Sequence, residues 1–152
     1  DVTPAPWLPG QTVSISTYWQ AQQKMAQDYK IFMHLKNEAG QTVQSFDHYP
    51  FEFDHDYLTT YIMPNPIYWQ NGLPPDATHY PATGLLPTRL WLPGQTLKET
   101  VNLTLAADLA PGVYTLEVGM YDETTLAPLV VQGEPPAGGQ VGVIVATVEV
   151  SE

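Results

Sequence analysis

Four stretches of this chain alternate apolar and polar residues with a period of two, which is the pattern of a β-strand with one buried face. These stretches are Thr12–Ala21, Asp28–Lys36, Leu97–Leu105 and Val113–Asp122. No window of the 152 residues has a convincing helical period, and 15 prolines with 11 glycines argue against a helical bundle. The sequence therefore predicts an all-β domain.

The turn after the second stretch sets the register of a predicted hairpin. Gly40 suits the left-handed position of a three-residue hairpin loop. In that register Leu35 faces Val43 on the core side, and Phe32 faces Phe46 on the outer side. We therefore expect two aromatic rings side by side on the outer face of this hairpin.

Three further segments complete the predicted set of strands. Thr88–Leu92 and Leu129–Gln132 are short, whereas Val141–Val150 is apolar on both faces, as expected for a strand covered on two sides. Seven or eight strands separated by frequent turn residues predict an antiparallel β-sandwich. Residues 1–152 would form one such domain, with residues 1–8 as a linker-like lead-in that is compatible with either a removed signal peptide or an upstream domain.

Two turn motifs agree with this architecture. The hexapeptide Trp7–Thr12 recurs identically as Trp91–Thr96, and each copy precedes a predicted strand. Pro-Gly supplies a tight turn in each copy and the Trp-Leu pair can cap the core, so the repeat indicates two equivalent turns leading into the sheet, rather than two ligand loops. The segment Asp108–Tyr114 resembles the tyrosine corner of immunoglobulin-like sandwiches, in which the phenol bonds back to upstream backbone. We therefore expect Tyr114 to be structural and the sandwich to be immunoglobulin-like.

The charge of the chain limits its partners. Sixteen acidic residues against five basic ones give a net charge of −11, so no basic patch exists to meet nucleic-acid phosphates or anionic lipid. No apolar run has the length of a membrane span, so we expect no direct membrane insertion. The absence of cysteine excludes a disulfide framework, a thiol nucleophile and a cysteine-based zinc site.

Several motifs, in order along the chain, resemble one known family. They are Leu8–Thr12, Tyr18–Ala21, Asp28–Leu35, Pro87–Trp91, Leu109–Tyr114 and Val118–Asp122. Together they are similar to the β-sandwich domains at the C-terminal end of bacterial multi-spanning membrane glycosyltransferases of the dolichyl-phosphate-mannose type, and to related extracytoplasmic domains. The resemblance implies a location outside the cytoplasm (periplasmic, cell-surface or secreted) and assembly with, or attachment to, a larger protein. It implies no catalytic residue.

The chain departs from that family in a long aromatic-rich insertion at residues 49–84, where the relatives have a short connection. Nine aromatic residues lie between Phe46 and Tyr80, and disordered segments are poor in aromatics, so we expect the insertion to be ordered. It would fold over the outer face of the first hairpin, or contact a protein partner. A third interpretation is a platform for sugar rings. The candidate ligand-binding residues are Tyr57, Tyr61, Tyr68, Trp69, Gln70 and Asn71.

A dense group of carboxylates and imidazoles occurs near the start of this insertion. Such groups can hold a divalent cation, and the candidate ligands are Asp47, His48, Asp54 and Asp56. Their spacing matches no known metal-binding loop, so a solvated acidic surface is the alternative interpretation. We expect no other cofactor.

No pattern in the chain predicts an enzyme. Ser14, Ser16 and Ser45 lie on predicted strands and Ser151 lies in the tail, so none occupies a nucleophile elbow beside a base. We therefore expect a non-catalytic, extracytoplasmic accessory or interaction domain that binds protein. A carbohydrate-binding module and a divalent-metal-binding domain are the alternatives.

Overall fold

The computed structural model describes residues 1–50, 88–94, 96–130 and 142–151. Across these ranges the chain forms β-strands and one short 3₁₀ turn, Thr88–Leu90, with no α-helix. The strands are β1 (Thr12–Gln20), β2 (Lys30–Asn37), β3 (Thr42–Ser45), β4 (Thr96–Thr104), β5 (Gly112–Tyr121), β6 (Pro128–Leu129) and β7 (Val143–Val150). The all-β prediction is confirmed, and each of the four alternating stretches overlaps one of these strands, with ends that differ by at most two residues.

The chain divides into two compact units. The first unit comprises Asp1–Ile15, Tyr29–Asp47 and Asn102–Glu152, and the second comprises Ser16–Asp28 and His48–Val101. Strands β2, β3, β5, β6 and β7 therefore belong wholly to the first unit, while β1 and β4 each contribute residues to both units.

A five-stranded antiparallel sheet forms the centre of the first unit. Strand β2 pairs with β3 on one side and with β5 on the other, and β5 pairs in turn with β6 and β7. Opposite one another on β2 and β5 are Ile31 with Met120, Met33 with Val118, and Leu35 with Leu116. All six side chains are buried, because alternate residues of a strand point to the same face and this face is the core.

The other face of β2 and β5 carries aromatic and charged residues. The opposing pairs there are Lys30 with Tyr121, Phe32 with Gly119, and His34 with Glu117. The alternation along each strand places its own residues on this face, and the pairing of β2 with β5 decides which of them become neighbours.

The second sheet consists of β1 and β4. The hydroxyls of Thr12 and Thr104 lie 3.0 Å apart, and those of Ser16 and Thr100 lie 2.8 Å apart. One strand advances by four residues while the other retreats by four, so the two strands are antiparallel. Val13 and Ile15, which alternate with polar residues in β1, are fully buried.

The two turn motifs behave as expected, with one correction. Gly10 and Gly94 of the repeated hexapeptide both adopt left-handed backbone conformations, with φ of 75° and 79°. Trp7 and Trp91 are buried, whereas the adjacent leucines in both copies are exposed, so tryptophan alone and not the Trp-Leu pair enters the core. The tyrosine corner is confirmed: the hydroxyl of Tyr114 donates to the Ala110 carbonyl at 2.7 Å.

The predicted register of the first hairpin is wrong. Gly40 is left-handed at φ 75°, as expected, but a β-bulge interrupts the pairing of β2 with β3 between Leu35 and Lys36. Leu35 therefore lies opposite Gln44 instead of Val43, and Val43 is exposed. A bulge adds one residue to one strand, which moves every later side chain of that strand to the opposite face.

Thr88–Leu92 is not a strand. Its first three residues form the 3₁₀ turn, in which the Arg89 amide donates to Asp28 Oδ1 at 3.2 Å and the Thr88 hydroxyl donates to the Gln27 carbonyl at 3.1 Å. These side-chain bonds offer the backbone a local alternative to sheet pairing. They also explain why β2 begins at Lys30, two residues later than predicted, since Asp28 is part of the turn.

The last strand was expected to be buried on both faces, and this is wrong for the described part of it. Val148 and Val150 are buried, but Val145 is 38% exposed, and burial alternates along the end of β7. Strand β7 pairs with β5 over Gly112–Val118, and on its other side Val150 forms a single parallel bridge with Trp7. The strand therefore lies near the margin of the sheet, where one face meets solvent.

Candidate functional site

A groove of about 410 Å³ opens on the outer face of the five-stranded sheet, within the first unit. Its lining combines apolar and aromatic side chains with ionisable ones. The lining residues are Phe32, His34, Lys36, Asp47, Glu117, Tyr121, Leu126 and Pro128. The volume lies within the range of small-molecule and side-chain pockets, which are apolar with a few placed polar groups.

The floor of the groove is built around an aromatic residue that covers a glycine. Phe32 lies over Gly119 so closely that a Cβ atom at residue 119 would be 2.4 Å from Phe32 Cζ. The Phe32 ring centroid lies 4.9 Å from that of His34 and 6.4 Å from that of Tyr121, in tilted arrangements. These rings occupy neighbouring outer positions because their strands pair in the register given above.

Asp47 is the centre of a polar cluster on one side of the groove. Its Oδ1 accepts a hydrogen bond from the Ser45 hydroxyl at 2.6 Å and lies 3.2 Å from His34 Nε2. Its Oδ2 accepts from the Tyr121 hydroxyl at 3.2 Å. Burial of the phenol, together with the nearby negative charges of Asp47 and Glu123, raises the pKa of Tyr121 to about 12. Tyr121 is therefore a neutral hydrogen-bond donor throughout the physiological range.

A buried ion pair forms the second polar element. Lys36 Nζ contacts Glu117 Oε2, and the side chains of both residues are less than one-tenth exposed. Glu117 Oε1 also accepts a hydrogen bond from the Gly142 amide at 3.2 Å. A Cβ atom at residue 142 would lie 2.6 Å from Glu117 Cγ, so only glycine leaves room for the carboxylate. A buried charge needs such partners, since desolvation otherwise disfavours it by several kcal/mol.

The lip of the groove is the turn between β5 and β6. The Leu126 amide donates to the Asp122 carbonyl at 2.7 Å, while the Asp122 carboxylate accepts from the Thr124 amide and the Thr125 hydroxyl, both at 2.8 Å. This network holds Leu126 at φ 59°, the left-handed region, with its side chain 71% exposed. A left-handed conformation costs a branched residue about 1–2 kcal/mol, and no burial offsets that cost here.

The polar side chains of the groove are engaged with one another and with their neighbours. Beside the groove, the Ser45 hydroxyl donates to Asp47, whose same oxygen lies near His34 Nε2. Lys36 and Glu117 contact each other, and Tyr121 is held protonated. The groove therefore offers a carboxylate, an imidazole and an apolar lip to an incoming group.

Of the predicted metal ligands, Asp47 lies in the groove and His48 belongs to the second unit. His48 is fully buried there, with Nε2 3.3 Å from Oε1 of the equally buried Glu99. No group of three or more potential metal-ligating side chains occurs among the residues that the structure describes. Asp54 and Asp56 lie outside those residues, so the metal site stays a prediction.

The predicted glycan contacts also lie outside the described residues. They are Tyr57, Tyr61, Tyr68, Trp69, Gln70 and Asn71. The carbohydrate-binding alternative, and the proposed packing of the insertion over the first hairpin, therefore stay predictions as well.

Sequence reasoning missed most of the groove. Glu117 and Tyr121 lie within the predicted strand Val113–Asp122, and Lys36 ends the predicted strand Asp28–Lys36, but no pattern in the sequence marked them as site residues. The signal that could have found the site is the pairing of a large aromatic, Phe32, with a glycine in another strand, since a glycine inside a strand marks a close approach. This signal can be recognised only when the pairing of β2 with β5 is known, and the two strands are far apart in the sequence.

No protein-family model matches this chain, and a search of curated proteins finds no match. Within the part of the chain that the structure describes, no helix has the length and apolar character needed to cross a membrane.

Proposed function

We propose that this chain is a non-catalytic binding domain that docks a polypeptide partner at the groove of its first unit. The observation that carries the proposal is the conformation of Leu126, an exposed leucine held in the left-handed region by the Asp122 network. Strain of this kind persists only where the surrounding structure imposes it, and it clusters at binding and switch sites.

The rigid lip favours a protein ligand in particular. A loop whose backbone is already held in its presenting conformation loses little backbone entropy when a partner covers it. Leu126 and Pro128 together give the groove an apolar margin, and the charged cluster below gives it polar contacts.

We also propose that the two sheets form an immunoglobulin-like sandwich. Supporting this, Gln44 of β3 donates from Nε2 to the Thr104 carbonyl at 2.9 Å and accepts from the Ala106 amide at 3.0 Å, linking the two sheets within the first unit. The tyrosine corner at Tyr114, at the start of β5, is a further immunoglobulin-like feature. Nuclear Overhauser contacts between the methyl groups of Ile15 and Leu116 are expected, and their absence would contradict a sandwich.

The resemblance to domains of membrane glycosyltransferases supports an extracytoplasmic accessory role, in which the chain assembles with a larger envelope or membrane protein. The tyrosine corner agrees with that resemblance, because it occurs in the same motif, Leu109–Tyr114. Locating the native protein by cell fractionation tests this part: recovery with the cytoplasmic fraction would contradict it.

The binding proposal is tested by selecting displayed peptides on the wild-type chain. Selected peptides should bind Leu126→Asn at least about tenfold more weakly, because asparagine keeps the left-handed backbone but removes the apolar anchor. Leu8→Asn is the matched control, since Leu8 is an exposed leucine of the same unit, away from the groove lining. The proposal is wrong if no peptide is enriched, or if every selected peptide binds both variants equally.

A further inference from the structure

We infer that the groove receives a basic side chain, arginine or lysine, of the polypeptide partner. This inference rests on the proposed docking function and adds the chemistry of the ligand. It comes from three features of the groove: a partly exposed carboxylate, an apolar margin, and the engagement of the neighbouring lysines with other carboxylates.

Asp47 supplies the charge that a basic group would meet. Its side chain is 28% exposed, so a ligand can reach it. Its contacts are with the Ser45 hydroxyl, the Tyr121 hydroxyl and His34, and among the described residues no lysine or arginine forms an ion pair with it. Hydroxyl donors orient the carboxylate but leave its negative charge in place, and His34 offsets that charge only when its imidazole is protonated.

The lysines near the groove are engaged elsewhere. Lys36 contacts Glu117, and Lys30, on the same face of β2, lies 3.1 Å from Glu123. Each of these pairs carries almost no net charge, so Asp47 determines the sign of the electrostatic potential in the groove. Burial is the largest cause of the raised pKa of Tyr121, and the negative charge of Asp47 adds to it.

The apolar margin suits the remainder of a long basic side chain. Lysine and arginine bury their methylene stems along apolar surfaces while the charged end contacts a polar group. Leu126 and Pro128 provide such a surface at the lip, and a groove of about 410 Å³ can hold a side chain of this size. The net charge of −11 on the whole chain would also draw a basic partner toward it.

The test uses two small probes of nearly equal shape and different charge. N-acetyl-arginine methylamide and its neutral citrulline analogue are titrated into the ¹⁵N-labelled chain at millimolar concentration, and amide shifts are followed by NMR. The arginine probe should shift the signals of Asp47, Tyr121 and Leu126, with an affinity about tenfold higher than that of the citrulline probe. Equal shifts from both probes would overturn the inference.

Variants separate the charge of Asp47 from its structural role. Asp47→Asn should lower the affinity for the arginine probe to that of citrulline, whereas Asp108→Asn, an exposed acid outside the groove lining, should leave it unchanged. Tyr121→Phe removes a hydrogen bond to Asp47 but keeps the carboxylate, so it should still bind the arginine probe. If Tyr121→Phe loses binding as fully as Asp47→Asn, cluster geometry and not charge is responsible, and the inference is wrong.

The two proposals fail in different ways. Displayed peptides that depend on Leu126 but contain no basic residue, or that bind Asp47→Asn as well as the wild type, would overturn the inferred ligand chemistry and leave docking at the groove intact. The absence of any peptide that depends on Leu126 would instead overturn the docking proposal itself.

Discussion

The ring of Phe32 fills the space above Gly119, so it leaves no room for a side chain at residue 119. A Cβ atom at residue 119 would lie 2.4 Å from Phe32 Cζ and 2.5 Å from Cε1. An aromatic ring over a glycine in the adjacent strand shields that strand's exposed backbone. Here it also places an aromatic residue in the floor of the groove, beside His34 and Tyr121.

We expect Gly119→Ala to destabilise the fold by about 1–3 kcal/mol, because the new methyl group must displace a ring that is itself buried. The measurement is the urea midpoint at neutral pH. In a Phe32→Leu background the same change should cost much less, since the ring is gone. Additive effects of the two substitutions would show that Phe32 and Gly119 are not coupled in this way.

Removing one member of the buried ion pair should be among the most damaging single changes in the groove. Lys36→Met leaves the Glu117 carboxylate buried opposite an apolar side chain, and a loss of about 3–5 kcal/mol is expected in chemical unfolding. The double variant Lys36→Met with Glu117→Leu should recover most of that loss, because no uncompensated charge remains. A double variant as unstable as Lys36→Met would contradict this account, because no uncompensated charge would then explain the loss.

The raised pKa of Tyr121 predicts a loss of stability at high pH. Below pH 10 the phenol is protonated in both the folded and unfolded chain, so its contribution to stability is constant. Between pH 10 and about pH 12 the unfolded chain loses the proton and the folded chain keeps it, so stability falls as pH rises.

Chemical unfolding measured across that pH range should show a shallower decline in Tyr121→Phe than in the wild type. Asp47→Asn should lower the pKa of Tyr121 only part of the way toward its ordinary value, since burial is the largest cause and persists in the variant. Identical pH profiles for Tyr121→Phe and the wild type would contradict this account.

Leu126→Asn should leave the unfolding free energy unchanged or raise it by about 0.5–1 kcal/mol, although it removes an apolar side chain. Asparagine tolerates the left-handed region at φ 59° better than leucine does, and the leucine is 71% exposed, so little burial is lost. Thermal and urea unfolding measure the effect. A clear destabilisation would mean that the Leu126 side chain packs against the fold and is not available for contact with a partner.

The sequence was most informative where local pattern alone decides structure. The alternation in β1, β2, β4 and β5 located these strands to within about two residues, since period-two burial is a property of each strand by itself. The tyrosine corner could also be predicted, because its hydrogen bond spans only four residues, from Tyr114 to Ala110.

The groove could not be predicted because it depends on contacts between distant segments. Phe32 meets Gly119, and Lys36 meets Glu117, only through the pairing of β2 with β5, and neither strand's pattern specifies the other as its neighbour. The bulge after Leu35 had a similar effect on the first hairpin, since Val43 is the additional residue and Gln44 takes its predicted place opposite Leu35. The conformation of Leu126 likewise depends on a hydrogen-bond network that residue preferences alone do not favour.

The parallel bridge between Trp7 and Val150 determines how the first unit would respond to mechanical load. The Trp7 amide donates to the Glu149 carbonyl at 2.8 Å, and the Ser151 amide donates to the Trp7 carbonyl at 3.0 Å. Because the two segments run in the same direction, pulling residues 1 and 152 apart would slide them along each other and strain both bonds at once. A force applied to both ends would therefore load the two hydrogen bonds in shear, and it would not break them one at a time.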